Sequence, residues 1–319
     1  MLNILLLLAG FVALIFGADK LVDAASSLAK KLGIPNIVIG LTIVAFGTSA
    51  PELVVNVFAS INNNTEMVLG NVLGSNIFNV LAILGISSVI YPLTVKRNTT
   101  WLEIPLSLLA AVAVLFVAND VFLDSAEANL ISRSDGLLLL LFFCIFLVYN
   151  LMIAKGGNED DEESETKDYT YLKAIFFIAL GLGGLILGGR LIVTSAVGIA
   201  QAFGLSERII GLTIVSVGTS LPELATSVVA VRKKNVDIAI GNVVGSNIFN
   251  IFLILGVSTV VTPLQVSAAS FTDIIFNIGA GLLLFIFIFT GRGRQLARWE
   301  GVIFLLLYLA YLGLLVSQE

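Results

Sequence analysis

The sequence predicts an all-α integral membrane protein: ten transmembrane helices arranged as two inverted five-helix repeats, N-out and C-out. Three observations predict it, namely an apolar composition, a lopsided placement of basic residues, and an internal repeat at one constant offset. Of the 319 residues, 58% are hydrophobic and only 12% are charged, where soluble domains carry about 45–50% and about 25%. With a mean hydropathy of +1.03, so few charges cannot clothe the wet surface of a chain this long. The expected solvent is a lipid bilayer, and the expected location is the cell (plasma) membrane. A net charge of −5 argues against nucleic acid as a partner, and no protein partner is expected either. The chain has no His, which excludes imidazole metal sites and His proton relays and disfavours Ser–His or Cys–His catalysis. Its single cysteine, Cys144, lies in an apolar run and is expected to be a packed thiol.

Apolar runs of bilayer length lie at 2–28, 34–61, 67–91, 101–119, 135–154, 172–202, 206–231, 238–261, 271–290 and 300–316. The first run lacks a basic leader segment and is partly repeated later, so it reads as part of the fold rather than as a secretion signal. Basic residues decide orientation. With the N-terminus outside, thirteen of the 17 Lys and Arg fall in inner connections and two, Arg133 and Arg208, in outer ones. Lys20 and Arg190 sit inside spans one and six. Asp19, Lys20 and Asp23 follow a long apolar stretch and are expected to be interfacial; Arg190 is expected to be a structural ion-pair partner.

Residues 155–170 interrupt the apolar pattern with seven acidic side chains. They read as a solvated cytoplasmic linker between a first repeat, 1–154, and a second, 171–319. They lack the spaced ligands of an EF-hand loop.

The two halves match at an offset of 171. Gly33–Leu53 lies over Gly204–Leu224, and Gly70–Asn79 lies over Gly241–Asn250; from Gly33 to Asn79, 25 of 47 positions are identical without a gap. Five spans is an odd number, so the second copy must enter the membrane from the opposite face. Inverted repeats characterise secondary transporters, whose sites form where the repeats meet. The identity is concentrated on polar and ionisable residues, which a duplication with no function to preserve would not explain.

In Gly47-Thr-Ser-Ala-Pro-Glu52, Pro51 has no N–H and its ring clashes with the carbonyl of Gly47; Pro222 does the same to Gly218. Freed carbonyls inside a membrane must line a polar cavity or meet a partner. Thr48 and Ser49 share a helical face with Glu52, as Thr219 and Ser220 do with Glu223. Asn71, Ser75 and Asn79 form a stripe spaced by four, with Asn76 beside it, and Asn242, Ser246, Asn247 and Asn250 repeat it. Gly70, Gly74, Gly241 and Gly245 fit close helix packing. For the Asn residues, interhelical bonding and ligation both stay open, with Asn79 and Asn250 the expected ligands. A carboxylate inside a bilayer costs at least ~2.5 kcal/mol, so Glu52 and Glu223 are expected to be functional. Two acids among hydroxyl and carbonyl oxygens, without His or thiolate, describe a hard-cation site suited to Ca²⁺ or to several Na⁺.

At these residues the sequence resembles the sodium/calcium exchangers of the calcium/cation antiporter superfamily. The paired GTS-x-PE and GN-xx-GS-x-I-x-N blocks are similar to that family's two α-repeats, and the ten-span length resembles a prokaryotic member. The resemblance implies ion ligands at Glu52, Glu223, Asn79 and Asn250. Further oxygens are implied from Thr48, Thr219, Ser49, Ser220, Ser75, Ser246, Ala45 and Ser216, the last two through their carbonyls. It also implies that spans one and six slide against the other eight. Potassium-dependent members carry Asp where this chain has Asn250, so K⁺-independent exchange is expected. The resulting expectation is an electrogenic Na⁺/Ca²⁺ antiporter with alternating access and no cofactor, Ca²⁺ and Na⁺ being its substrates. A Ca²⁺/H⁺ or other divalent-cation antiporter is the alternative. An intramembrane hydrolase using the two acids would need cations beside them, and a Ca²⁺ channel would conduct without a counter-ion.

Overall fold

The computed structural model describes residues 2–156, 167–202, 216–290 and 293–317. The acidic centre of the linker (157–166), Arg208 and the first part of the seventh expected span (206–215) lie outside the described residues. The helices are α1 (Leu2–Leu32), α2 (Asn36–Thr48), α3 (Ala50–Ile61), α4 (Thr65–Ile90), α5 (Thr99–Val117) and α6 (Asp120–Asp124). They continue with α7 (Arg133–Gly156), α8 (Tyr171–Ala202), α9 (Ser216–Thr219), α10 (Leu221–Arg232), α11 (Val236–Val261), α12 (Ala268–Thr290) and α13 (Arg298–Ser317). Four two-residue strands pair antiparallel across the loops, β1 (Leu93–Thr94) with β4 (Gln295–Leu296) and β2 (Leu130–Ile131) with β3 (Leu264–Gln265).

Among the described residues, eight single helices and one bent pair are long and apolar enough to cross a membrane. They coincide within a few residues with nine of the ten expected spans. The expected continuous span at 34–61 is instead broken, with α2 and α3 meeting at 47°. The break falls at Ser49, two residues after the expected Gly47, and is repeated at Ser220, both serines having ψ near zero. Pro51 and Pro222 then sit in the first turn of α3 and α10, where a missing N–H costs nothing. The proline thus opens a new half-helix and does not kink an old one.

Burial sorts the helices. The apolar stretches of α11 and α4 are 94% and 78% buried, against 17–33% for the six other long helices. Two helices therefore form the axis and the rest present apolar faces outward, as lipid requires. On the most peripheral, α7, Cys144 is exposed rather than packed, because its apolar run faces outward and not into a core.

Local devices recur at the repeat offset. Asn64 and Asn235 cap α4 and α11 by accepting from Met67 N and Ile238 N. The preceding Asn63 and Lys234 both adopt left-handed backbone, at φ 57° and 59°. π-helical turns follow at Phe78–Leu84 and Phe249–Leu255, so Asn79 and Asn250 both lie on locally widened helix, a frequent mark of functional sites.

Helices α1 and α8 cross through glycine. A Cβ on Gly17 would meet Gly181 O at 2.7 Å, and one on Gly188 would meet Gly10 O at 2.7 Å. Gly10 opposite Gly188 and Gly17 opposite Gly181 make the pair antiparallel and self-complementary. Gly241 and Gly245 pack as closely on α2, where an added Cβ would come 2.9 Å from Ile37 O and 2.7 Å from the Ala45 Cβ. A Cβ on Gly70 or Gly74 would meet nothing within 4 Å among the described residues, so the close packing expected of these two is not seen there.

Gly17→Val should therefore push α1 from α8 and destabilise the fold by about 1–3 kcal/mol, as overpacking does. Gly183, with open space at its Cβ position, should accept valine without cost. Melting temperatures of the two variants in detergent check this; equal values would refute the close crossing.

Candidate cation site

Glu52 and Glu223 open the half-helices α3 and α10, where the positive end of the helix dipole favours a carboxylate. Both are 1% exposed. They are bound crosswise: Ser49 Oγ donates to Glu223 Oε1 at 2.9 Å and Ser220 Oγ donates to Glu52 Oε1 at 3.4 Å. Each repeat's serine thus serves the other repeat's acid, which brings the four residues into one cluster. Neither acid forms an ion pair among the described residues, and Ser49 and Ser220 are buried.

Each threonine reaches an asparagine of the other repeat. Thr48 Oγ1 donates to Asn242 Oδ1 at 3.0 Å, and Thr219 Oγ1 donates to Asn71 Oδ1 at 3.4 Å. Asn242 Nδ2 in turn donates to Glu223 O and to Ser227 Oγ. The Ala45 carbonyl already accepts from Ser49 N at 3.0 Å and from Thr48 Oγ1 at 3.3 Å, so a cation would share it. Ser216 is the first residue of α9; its side chain lies outside the described residues.

The structure shows the interhelical bonds of the asparagines. Asn79 Nδ2 donates to Asn247 Oδ1 at 3.0 Å and Asn250 Nδ2 donates to Asn76 Oδ1 at 2.9 Å, so interhelical bonding is real. Their own Oδ1 atoms are buried and carry no hydrogen bond among the described residues. Glu52 Oε2, Glu223 Oε2, Ser75 Oγ and Ser246 Oγ are likewise buried without a partner. Six oxygens in three offset-matched pairs, two of them serine hydroxyls that can also donate, thus lack a closely placed partner among the described residues, and a buried polar group left so costs about 1–3 kcal/mol. A hard cation accepts that oxygen set readily, since Ca²⁺ takes six to eight oxygen ligands.

Two residues escaped the sequence reading. Asn56 Nδ2 donates to Glu52 O at 2.7 Å, and its offset partner Ser227 receives Asn242. Both lie four residues after their Glu, one turn beyond the motif, and that spacing was the available signal.

A cavity of about 490 Å³ leads toward this cluster, lined by Ile186, Gly189 and Arg190 of α8 and by Pro51, Gly218, Thr219 and Pro222. Arg190 is exposed and forms no ion pair among the described residues, contrary to expectation; it lines an opening in the bundle rather than a packed contact. Asp19 and Asp23 are also more than interfacial. Lys233 Nζ lies 2.6 Å from a carboxylate oxygen of each, and Lys167 Nζ lies 2.8 Å from Asp23. The hydrogen bond to Asp23 holds the Lys167 ammonium above its ordinary range. The Lys31 ammonium, 2.6 Å from Asp168, holds that carboxyl below its ordinary range.

Comparison with known proteins agrees with this geometry. The family described as sodium/calcium exchanger protein matches residues 2–152 and 173–317. The sodium/calcium exchanger MaX1 of Methanosarcina acetivorans is 36% identical over 351 aligned positions, covering 98% of both chains. The inner membrane protein YrbG of Escherichia coli is 35% identical, covering 97% of this chain and 95% of its own. The sodium-calcium exchanger NCX_Mj soaked with 10 mM Na⁺ and zero Ca²⁺ superposes with a TM-score of 0.82 at 31% identity, covering 98% of each chain. The chain is a multi-pass membrane transporter, not an enzyme, and belongs to the sodium/calcium exchanger family.

Proposed function

We propose that this cation antiporter exchanges Na⁺ for Ca²⁺, electrogenically and without K⁺, by alternating access to one site between two inverted five-helix repeats. The observation that carries the reading is the pair of cross-bonded acids, Glu52 and Glu223, each with one buried unpartnered oxygen. Their two negative charges match one divalent ion. The uncharged oxygens of Asn79, Asn250, Ser75 and Ser246 complete a set that Ca²⁺ or several Na⁺ occupy in turn. Three Na⁺ against one Ca²⁺ moves one net charge, coupling the cycle to potential at ~2.3 kcal/mol per 100 mV. The absence of a third acid at position 250 supports K⁺ independence. The inner-membrane name of YrbG supports a plasma-membrane location, and the basic bias of the inner connections supports N-out, C-out.

Helices α1 and α8 are the mobile pair in this reading. They cross closely through glycine, which lets the two travel together as one unit. Lys233 must release Asp19 and Asp23 before α1 slides.

Na⁺-driven Ca²⁺ uptake into proteoliposomes, with and without K⁺ and against an imposed pH gradient, tests the function. Transport indifferent to Na⁺ but driven by protons would establish the Ca²⁺/H⁺ alternative. Glu52→Gln and Glu223→Gln should each nearly abolish uptake while the protein stays folded. They should also remove the Ca²⁺-dependent rise in stability, which for wild type is about 2.7 kcal/mol at a hundred times Kd.

A second prediction concerns the release of α1. Lys233→Ala removes partly buried pairs worth about 1 kcal/mol and should lower half-saturating Ca²⁺ on the lysine-rich side about five-fold, by raising the population open to that side. Flux measured from each side of oriented vesicles reads this, and an unchanged value would remove the pairs from the gating step.

A further inference from the structure

Asn76 and Asn247 lie outside the ligand set, yet each binds the amide nitrogen of an expected ligand from the other repeat. The direction of these bonds follows from one fixed point. Asn76 Nδ2 donates to the backbone carbonyl of Asn247 at 3.2 Å, and a carbonyl can only accept. The nitrogen of Asn76 is therefore committed, and its Oδ1 must face Asn250. Asn250 can meet that oxygen only with its own Nδ2, at 2.9 Å. Its Oδ1 then points the other way, where it is buried and unpartnered. The four asparagines are 1–4% exposed, so a reversed Asn250 amide would set two buried acceptor oxygens against each other.

We propose that Asn76 is a positioning residue which, anchored on the Asn247 carbonyl, orients the Asn250 amide so that its oxygen and not its N–H₂ faces the cation. This rests on the exchange site proposed above and deepens it. A reversed amide would remove one ligand and turn a positive N–H edge toward the ion. The arrangement also accounts for the uncharged residue at 250. An aspartate there would set a carboxylate oxygen against Asn76 Oδ1, an acceptor facing an acceptor, whereas asparagine supplies the required donor.

Calorimetric titration of the purified full-length protein with Ca²⁺ tests this independently of the counter-ion, so loss of Na⁺ coupling would refute the exchange reading and leave this one standing. Asn76→Ala should weaken Ca²⁺ binding about five-fold or more, the equivalent of one orienting hydrogen bond. In an Asn250→Asp background the same Asn76→Ala change should be neutral or favourable, because a carboxylate shows oxygen on either branch. A penalty of equal size in both backgrounds would reduce Asn76 to a packing role and overturn the proposal, as would unchanged affinity in the Asn250 background. Should Asn76→Ala fail to fold, Asn76→Leu, which nearly keeps the side-chain volume, measured in the same Asn250 and Asn250→Asp backgrounds asks the same question, with the same two outcomes.

Discussion

Two carboxylates buried on facing half-helices, without an ion pair among the described residues, are the constraint to which the rest of the structure answers. The effective cost of burying an ion is several kcal/mol. Three features offset it here. Glu52 and Glu223 sit at the positive ends of α3 and α10, each receives a serine hydroxyl from the other repeat, and each has one oxygen unpartnered among the described residues, which the proposed site gives to a cation. The helix break is the geometric means to all three. A continuous helix through Ser49 would have no N-terminus there, and its hydroxyl would not be turned across the interface.

The symmetry of the site is not carried through to the ends of the bundle. The turn before α11 is bound to α1 by Lys233 on Asp19 and Asp23 and by Asn235 Nδ2 on Ser26 Oγ at 2.9 Å. At the offset positions, the turn before α4 carries Asn62, which donates to Phe58 of its own helix, and α8 carries Arg190 where α1 has Asp19. Among the described residues that turn has no ionic tie to α8. The linker joins the bound end through Lys167 on Asp23 and through Tyr169 N on Ser27 Oγ at 2.9 Å. Chemistry at the centre needs both repeats alike; the rims are free to differ, and a difference in tie strength between them biases which face opens.

Much of this was legible in the sequence because the repeat reported it twice. The offset of 171 that aligned the motifs also aligns the breaks at Ser49 and Ser220 and the π turns around Asn79 and Asn250. Composition and apolar run length located nine spans. What stayed hidden depended on relations that spacing does not encode. Lys167 and Lys233 meet Asp23 across 144 and 210 positions of chain, and no local pattern announces such a pair. Cys144 reads as apolar on either face of α7. The direction of an asparagine amide depends on partners from another helix, so Asn79 and Asn250 could be named as ligands but not aimed.

The division between rigid and mobile parts follows from the kind of contact each helix makes. Around the axis, α4 and α11 are joined by directional bonds at fixed angles, from Asn79 to Asn247 and from Asn250 to Asn76, and displacement along the axis would break them and leave buried amides unpaired. Between α1 and α8 the closest contacts are glycine against backbone, with Ile192 beside Gly10 and Leu21 beside Gly181, so the two helices are fitted to each other as one unit. Movement of that pair relative to the axis disturbs few buried polar groups until it reaches the ionic ties at Asp19 and Asp23. The resistance to motion is therefore concentrated at one end of α1, away from the acids. A carrier built this way can keep its ligand oxygens in register while the covering helices move, because the bonds that aim the ligands and the bonds that hold the gate belong to different parts of the bundle.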